Sequence, residues 1–530
     1  MPGGSHCDQL LEQLRDPGCF PGEATSVEVL QTHLSIVCLA GGFAYKLKKS
    51  VVLPFVDFST LAARQRACRD EVLLNRRLCP DVYLGTAPLR PHGEGVRFAD
   101  VGDPEGQDDV DMAVVMRRLP QERMLDVLLR SRKVHATEIS SLARAVAAFH
   151  ATANRDPEVT GYGSPERLAE LAASNFDELR GIRGHGLPVG LMAALAERSR
   201  TSFGAILPEL KERAAEGHVV DGHGDLHARN VCMTDPPTIY DCIEFEPSFR
   251  CGDVATEIAF LAMDLRYRSH VRLARIFVDT YVSEGGDERC PALLPILCSY
   301  RALIRCKVAA IAATEEELPL KERDAARASA YDHALLACAH AIEMRDRPCW
   351  LLVCGPPASG KTELCRELAR RTHWTHLCTD IVRKQLAGIG PTRAAGPECY
   401  TAVFTRATYG ALLRYAAKAT EEGERVVVLD GNFSTQEQRK QARGAASAVG
   451  ARVFVVNIEI DLETAVERAR RRQGEENNVS DADEDIVAAR LAQFHAPRPE
   501  EGQPLMRLPG TTPIVELMHE VLIGMLKDDA

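Results

Sequence analysis

Apolar and polar positions change their spacing near residue 346, which divides the chain into two parts. Between residues 124 and 217, apolar residues recur every three or four positions, and this spacing predicts a series of helices. Upstream, the segment HLSIVCLAGGFAYKLKKSVVLPF has β-type runs on both sides of Gly41-Gly42, which predicts a hairpin. We therefore predict a small β-rich lobe at about 25–118, followed by a helical lobe at about 119–345.

The second part alternates short apolar runs with helical segments. The runs WLLVC, HLCTD, RVVVLD and ARVFVVNIEI are each followed by a helical pattern, and this alternation is typical of a parallel sheet with crossover helices. The sequence thus predicts two domains, an α+β domain at 1–345 and an α/β domain at 346–530.

Composition excludes several classes of protein. The chain has 530 residues, of which 45% are hydrophobic and 26% are charged, and such usage argues against disordered and fibrous proteins. No uncharged apolar run reaches the roughly 18 residues of a membrane helix, and the first residues lack a signal-peptide pattern. The 17 cysteines lack the paired spacing of zinc sites. We expect a cytoplasmic protein without a membrane partner, and no pattern indicates its oligomeric state.

A phosphate-binding motif opens the second part. The segment GPPASGKT fits GxxxxGK[ST] and lies between an apolar strand and a helical segment. In such loops backbone N–H groups surround the phosphates, the lysine reaches the β and γ oxygens, and the final hydroxyl binds Mg²⁺. The predicted ATP contacts are therefore Gly355, Ser359, Gly360, Lys361 and Thr362, and the last of these is also a predicted Mg²⁺ ligand.

Two carboxylates follow the next strands of this part. Asp380 ends the run HLCTD, at the sheet edge where ligands of open α/β sheets bind, and is a candidate acceptor for a hydroxyl proton. Arg383 is a candidate for holding the acceptor or the transferred phosphate. Asp430 ends the run RVVVLD and is a candidate Mg²⁺ ligand. The alternatives are that Asp380 caps the following helix and that Asp430 belongs to an Asp-Gly turn.

Further along, Arg468 and Arg472 lie on one face of a predicted helix, where a lid could use them to neutralise charge during transfer. A solvated basic face is the alternative. With its D-x-x-R pair, this part resembles the small P-loop kinases that include gluconate kinase, chloramphenicol phosphotransferase, zeta toxins and polynucleotide kinase. The resemblance implies that Asp380 accepts the proton and that Arg383 contacts the acceptor substrate.

A second phosphotransfer pattern lies in the first part. The segment HGDLHARN fits H-x-D-x-x-x-x-N, and a short β run that ends in Asp241 follows it. In phosphoryl transfer of this type one Asp takes the proton of the acceptor hydroxyl, while an Asn and a second Asp hold Mg²⁺ on the nucleotide. The predicted base is Asp225, and the predicted metal ligands are Asn230 and Asp241.

A lysine and a glutamate complete this second pattern. The segment FAYK is similar to V-A-I-K and ends in Lys46, and Glu71 lies on a predicted helix where it can fix that lysine beside the nucleotide. Lys48 shares the strand face and is an alternative to Lys46. No glycine-rich loop precedes Lys46. Asp253 is a candidate support for the catalytic loop, or alternatively a helix cap.

The segments HGDLHARN and IYDCIEFE resemble the aminoglycoside phosphotransferase family, whose bilobal fold is that of protein kinases. The resemblance implies that Asp225 is the catalytic base, with Asn230 and Asp241 as metal ligands. The order of the two parts is similar to a bacterial family of bifunctional fusions in which such a domain precedes a P-loop kinase segment, described as an AAA family ATPase.

These patterns predict two sites that use ATP and Mg²⁺ to phosphorylate small polar acceptors such as sugars, amino sugars or antibiotic-like metabolites. Nucleic acid enters only as an alternative substrate of the C-terminal domain, which would then be a polynucleotide or nucleotide-sugar kinase. Residues 351–530 carry 23 Lys and Arg against 25 Asp and Glu, and this charge opposes binding of long nucleic acid. A further alternative is a nucleotide-sensing regulator in which one site binds ATP without transfer.

Overall fold

The computed structural model describes residues 10–22, 24–53, 56–316, 318–390, 393, 395–473 and 484–528. The chain forms two compact units. The first unit comprises Met1–Leu171 and Ile206–Leu297, and the second comprises Ala172–Ala205 and Cys298–Ala530.

An antiparallel six-stranded sheet, in the order β1-β2-β3-β8-β6-β7, lies in the first unit. The predicted hairpin is β2–β3, in which Ala40 pairs with Phe43 across the two glycines. The strands of this part are β1 Val27–Gln31, β2 Ser35–Ala40, β3 Phe43–Lys48, β4 Val52–Leu53, β5 Val56–Asp57, β6 Tyr83–His92, β7 Gly95–Phe98 and β8 Asp111–Arg117.

Helix α1 (Leu61–Asn75) begins after Thr60, whose side chain accepts a hydrogen bond from the backbone of Ala63. Buried residues of this helix, including Cys68 and Val72, pack in one apolar cluster with residues of β2, β3 and β8. The opposite face of the sheet buries a second apolar cluster. The alternation of side chains along each strand thus gives the sheet two buried faces.

Helices dominate the chain between the sheet and residue 343, as the apolar spacing predicted. They are α2 Leu125–Arg130, α3 Ala136–Thr152, α4 Pro157–Tyr162, α5 Pro165–Gly181, α6 Val189–Ala215, α7 Pro247–Arg250, α8 Val254–Tyr267, α9 Val271–Gly285, α10 Cys290–Ala312 and α11 Leu320–Glu343. Short strands lie among them, namely β9 Val219–Asp221, β10 Val231–Cys232, β11 Thr238–Ile239 and β12 Cys251–Asp253. The 3-10 turns of this part and of the N-terminal segment are Pro17–Cys19, Gln121–Arg123 and Ala228–Asn230.

A buried ionic cluster within the first unit joins Arg213, near the end of α6, to Asp253 of β12 and to Asp287. The guanidinium of Arg213 is fully buried and donates two hydrogen bonds to Asp253 (2.7 and 2.8 Å) and two to Asp287 (2.8 Å each). Asp253 also accepts a hydrogen bond from Ala255 and so caps α8. The helix-cap interpretation of Asp253 is therefore the one that the structure supports.

The second unit contains a parallel five-stranded sheet in the order β14-β15-β13-β16-β17. This confirms the predicted parallel sheet with crossover helices. Its strands are β13 Cys349–Cys354, β14 Thr375–Cys378, β15 Val426–Asp430, β16 Arg452–Glu459 and β17 Leu505–Pro509. Its helices are α12 Lys361–Thr372, α13 Thr379–Leu386, α14 Ala402–Glu421, α15 Gln436–Ala448, α16 Leu462–Gln473, α17 Glu484–Ala492 and α18 Ile514–Lys527, with 3-10 turns at Pro397–Tyr400 and Pro499–Glu501.

Strand β13 is the centre of this sheet, and all six of its residues are buried. Trp350 and Leu352 pack with Val427 and Leu429 of β15 and with Val455 of β16 in one apolar cluster. A strand covered on both faces reads as a continuous apolar run, which is the pattern of WLLVC. The phosphate-binding motif therefore follows the central strand of the sheet, whose residues are all buried.

All sixteen cysteines in the described part of the chain are buried, and none of them is in a disulfide bond. Most lie in apolar strands and helices, where a free thiol packs as a small hydrophobic group. Within the same described part, no helix combines the length and the apolarity that crossing a membrane requires.

Candidate functional site

The loop between β13 and α12 has the backbone geometry that a phosphate cradle needs. Gly355 has φ 147°, and a Cβ there would lie 2.6 Å from the carbonyl oxygen of Ile458. Gly360, at φ 99°, precedes the first residue of α12. Ala358 has φ 63°, which is uncommon for a residue with a side chain. The loop thus brings the N-terminus of α12, where anions are favoured, to the end of the central strand.

Lys361 is buried over this loop. Its Nζ donates a 2.7 Å hydrogen bond to the carbonyl of Pro356 and lies 3.5 Å from Oγ of Ser359. Burial lowers the pKa of Lys361, and the charges of Asp430 and Asp380 oppose that shift. The ammonium group is therefore held at the loop by a carbonyl that a nucleotide phosphate could replace.

The two predicted Mg²⁺ ligands of this unit, Thr362 and Asp430, lie together. Burial alone would raise the pKa of Asp430, but the neighbouring His376, the charge of Lys361 and a hydrogen bond from Thr362 bring it below its usual value. The carboxylate is therefore charged and adjacent to a hydroxyl. Carboxylate and hydroxyl oxygens are donors that suit Mg²⁺, so this pair fits the ion.

Asp380 lies in the first turn of α13, whose cap position is held by Cys378. Asp380 is thus not the cap residue that the alternative interpretation required. Burial and the nearby charge of Asp430 raise its pKa, while Arg383 and Lys361 act against that rise. A carboxylate with a raised pKa is a stronger proton acceptor, as a general base requires.

Arg383 lies beside a tyrosine that also contacts a second arginine. Its Nη1 donates a 2.8 Å hydrogen bond to the carbonyl of Cys399, and its guanidinium lies 4.7 Å from the ring centre of Tyr400. Arg490 of α17 lies 5.0 Å from the same ring, and its charge opposes the rise in the pKa of Asp380. Arg490 and Tyr400 were missed in the sequence because no motif connects them to Asp380.

Arg468, on α16, contacts the phosphate loop rather than lying on a solvated face. Its Nη2 donates a 2.8 Å hydrogen bond to the carbonyl of Gly510, and its Nη1 lies 3.4 Å from the carbonyl of Ala358. The side chain of Arg472 lies outside the described residues. Arg468 of this basic face therefore lies at the phosphate loop.

In the first unit, the predicted base and one predicted metal ligand are hydrogen-bonded to each other. The Nδ2 atom of Asn230 donates to both the carbonyl and Oδ2 of Asp225, at 3.0 Å each. His227 Nε2 lies 3.3 Å from the same Oδ2 atom. His223 Nε2 lies 2.9 Å from the carbonyl of Tyr240, so both histidines contact the backbone or side chains of the loop.

Glu257 of α8 binds the backbone of this loop through hydrogen bonds. Its Oε1 accepts hydrogen bonds from the backbone N–H groups of His223 and Gly224, and its Oε2 lies 2.7 Å from His150 Nε2. Burial alone would raise the pKa of Glu257, but His150 and the backbone donor lower it to about 2. A Cβ at Gly222 would lie 2.6 Å from Oε1. Sequence reasoning considered Asp253 for this role and missed Glu257.

Both candidate lysines bind the same glutamate. Lys46 Nζ donates to Glu71 Oε1 at 2.8 Å and to Asp241 Oδ1 at 2.5 Å. Lys48 Nζ donates to Glu71 Oε2 at 2.5 Å and also pairs with Glu244. Of the two lysines, Lys46 is the one whose hydrogen bonds include a predicted metal ligand, Asp241. Lys48 and Glu244 form a neighbouring buried pair that sequence reasoning did not assign.

Charge neutralisation holds these groups ionised. Burial would raise the pKa of Glu71, but Lys46 and Lys48 lower it to about 2. Burial would lower the pKa of Lys46, but Asp241 and Glu71 raise it well above its usual value. Asp241 has φ 66°, a backbone conformation that residues other than glycine rarely adopt. The local backbone is therefore shaped to point this carboxylate at Lys46.

Two residues of neighbouring elements hold the backbone at Asp241. Its N–H donates to the hydroxyl of Tyr83 at 3.2 Å, and the next N–H, of Cys242, donates to Asn75 Oδ1 at 2.9 Å. Asn75 lies one helical turn after Glu71 on α1. One helix thus positions both the glutamate and the carboxylate that contact Lys46.

Residues 351–497 match the family model described as an AAA domain. This part of the chain is a P-loop domain. The matched segment contains the phosphate loop, Asp380, Arg383 and Asp430.

Longer and shorter similarities accompany this match. Over 472 residues the chain is 29% identical to uncharacterised proteins of Mycobacterium bovis (strain ATCC BAA-935 / AF2122/97) and Mycobacterium tuberculosis (strain ATCC 25618 / H37Rv), covering 88% of this chain and 90% of each relative. A gluconokinase from Sinorhizobium meliloti 1021 is 18% identical with TM-score 0.26, covering 34% of this chain and 93% of that chain. A sugar kinase from Janibacter sp. HTCC2649 is 16% identical with TM-score 0.25, covering 33% and 92%.

Proposed function

We propose that this chain is an ATP- and Mg²⁺-dependent phosphotransferase with one site in each unit. Each site transfers the γ-phosphate of ATP to a hydroxyl group of a small polar acceptor, such as a sugar, an amino sugar or an antibiotic-like metabolite. The observation that carries the proposal is the charged Asp430 beside the Thr362 hydroxyl and the Lys361 ammonium at the phosphate loop. The absence of disulfides among the sixteen described cysteines supports a cytoplasmic location.

At the second site the described residues divide the work of transfer. Lys361 and the loop N–H groups bind the β and γ oxygens, and Asp380 accepts the proton of the acceptor hydroxyl as its oxygen attacks the γ-phosphorus and ADP leaves. Thr362 and Asp430 would hold Mg²⁺, which when bound neutralises charge on the phosphate oxygens. Arg468, at the loop, stabilises the charge of the transferring group.

At the first site we propose a protein-kinase-like fold, on the resemblance of its motifs. Asp225 accepts the proton of the acceptor hydroxyl, and Asn230 and Asp241 would hold the cation. Lys46, fixed by Glu71, binds the nucleotide phosphates. Its ion pair with Asp241 supports this assignment, because bound phosphate and cation would replace each of these charges with an equivalent one.

The surroundings of Asp380 bear on the acceptor of the second site. Arg383 and Arg490 lie on the ring of Tyr400, and both charges act on Asp380. Two guanidinium groups favour an acceptor that carries an anionic group. This observation favours, as a second candidate, a nucleotide-sugar or a nucleic-acid 5′ end as substrate of this unit alone.

The proposal is tested by transfer from γ-labelled ATP with Mg²⁺ to pools of sugars, amino sugars, aminoglycosides, nucleosides and 5′-hydroxyl oligonucleotides. Asp225→Asn silences the first site and Lys361→Ala the second, while Asp177→Asn and Lys418→Ala, both exposed, are matched controls. If a variant no longer labels a small molecule that its control still labels, this result supports transfer at the site that the variant silences. Labelled oligonucleotides lost with Lys361→Ala favour the polynucleotide kinase.

Hydrolysis without any labelled acceptor contradicts the proposal. It would favour the alternative of a nucleotide-sensing regulator, in which one site binds ATP and transfers nothing. The hydrogen-bonded Asp225 argues against that alternative, because binding of ATP alone does not require a base.

A further inference from the structure

Three side chains capable of binding a metal converge next to the phosphate loop. Cys365 on α12, His376 on β14 and Asp430 at the end of β15 each offer one ligand atom, and these atoms lie within 4.8 Å of one another. The Cys365 and Asp430 side chains are buried, and His376 exposes 14% of its side chain. Three chain segments more than ten residues apart thus bring sulfur, nitrogen and oxygen donors to one point.

Two of these atoms face each other without a hydrogen bond. His376 Nε2 lies 3.4 Å from Asp430 Oδ2, both atoms are buried, and neither has a hydrogen-bond partner among the described residues. An unsatisfied buried polar atom costs about 1–3 kcal/mol. Such atoms in a folded protein call for an unseen partner, and an ion between them would satisfy both.

The spacing of the donors fits a tetrahedral ion. Zinc bonds of about 2.0–2.3 Å to nitrogen, oxygen and sulfur place neighbouring ligand atoms about 3.3–3.6 Å apart. The 3.4 Å between His376 and Asp430 lies in this range. The Cys365 sulfur, within 4.8 Å of both, reaches it by a small movement of its side chain. Thiol and imidazole ligands select zinc-like ions over Mg²⁺, which prefers oxygen.

We propose that Cys365, His376 and Asp430 bind a thiophilic divalent cation of the zinc class, with a water molecule in the fourth position. On binding, the Cys365 thiol releases its proton to solvent and its sulfur, as thiolate, bonds to the ion. Because Asp430 also accepts from Thr362, an ion held here withdraws that carboxylate from the predicted Mg²⁺ position. This last consequence rests on the proposed function, whereas the binding itself does not.

The experiment measures zinc binding to the full chain by equilibrium dialysis against Zn²⁺ buffers. We compare the wild type with Cys365→Ser and His376→Asn, and with Cys349→Ser as a matched control, because Cys349 is equally buried but lies outside the group of three. We expect at least tenfold weaker binding for the first two variants and unchanged binding for the control. Wild-type affinity in Cys365→Ser would overturn the proposal.

Cobalt substitution keeps the proposal falsifiable if a variant fails to fold. Co²⁺ bound to the wild type should show a sulfur-to-cobalt charge-transfer band that is lost in Cys365→Ser and kept in Cys349→Ser. A Co²⁺ complex of the wild type without that band would overturn the site, whatever the variants do. Neither measurement uses ATP or an acceptor. Both therefore test the metal site even if the proposed phosphotransfer fails.

Discussion

The Nδ2 atom of Asn230 donates a 3.0 Å hydrogen bond to Oδ2 of Asp225. This bond fixes the orientation of the Asn230 amide, so that its oxygen points away from the carboxylate. The predicted base and the predicted metal ligand therefore cannot turn independently of each other. A side chain that holds a cation through its oxygen would at the same moment hold the base through its nitrogen.

We expect Asp225→Asn to lower transfer at the first site by about 10²–10⁴-fold, because the amide cannot accept the hydroxyl proton. Affinity for ATP should stay within about threefold, since Lys46 and Glu71 are untouched. Single-turnover transfer and equilibrium ATP binding check the two halves of this expectation, with Asp177→Asn as control. A full transfer rate in the variant would remove Asp225 from the chemistry.

Asp380→Asn should have the corresponding effect at the second site, again about 10²–10⁴-fold on transfer with ATP binding retained. The pH profile adds a sharper expectation. A base works only when deprotonated, and the pKa of Asp380 is raised in the unliganded protein, so the acid side of the wild-type kcat/KM profile should lie above the ordinary pKa of an aspartate, about 3.9. That acid limb should vanish in the variant's residual rate. If the limb persists unchanged, another group is titrating.

Glu257 links the HGDLHARN loop of the first unit to stability at acid pH. Its pKa falls from 4.5 to about 2 on folding. Its carboxylate therefore stabilises the fold fully above about pH 4.5, and the contribution is lost as pH falls toward 2.

In Glu257→Gln, the unfolding free energy should depend less steeply on pH between about 4.5 and 2, by up to about 1.4 kcal/mol per pH unit. Urea unfolding of wild type and variant at stepped pH measures the two slopes. Parallel slopes would show that Glu257 keeps its ordinary pKa in the folded chain.

Arg213→Met should destabilise the first unit by about 3–5 kcal/mol, because two buried carboxylates, Asp253 and Asp287, lose their counter-charge. Arg200→Met on the same helix is the matched control. Arg200 is exposed and pairs with Glu197, so its loss should change stability by less than about 0.5 kcal/mol. Denaturant unfolding distinguishes them, and equal effects would contradict the ionic explanation.

Sequence reasoning succeeded where chemistry depends on residues close together in the chain. The phosphate loop is such a case, because its glycines and Lys361 act within eight positions. The apolar runs likewise predicted the parallel sheet, since a strand buried on both faces has few alternatives. Motif order also brought Lys46, Glu71 and Asp241 into one hypothesis, and the structure brings these three side chains into contact.

The residues that sequence reasoning missed act through contacts between distant segments. Glu257 binds the backbone at His223 from the first turn of another helix. The residues around it in the sequence have the pattern of an ordinary buried helix, so nothing local marks this contact. Asp253, four positions earlier, had the more obvious local signal of a helix cap, and this is the role that the structure gives it. Arg490 is ninety positions from Tyr400, so only tertiary packing reveals their contact.

The buried cysteines provide native probes of local unfolding in both sheets. An alkylating reagent cannot reach a buried cysteine until the surrounding structure separates, so each labelling rate measures the free energy of one local opening event. Cys38 would report on the antiparallel sheet and Cys349 on the parallel one. Mass spectrometry of labelled peptides would then show which of the two sheets has the lower free energy of local opening, with no probe introduced by mutation.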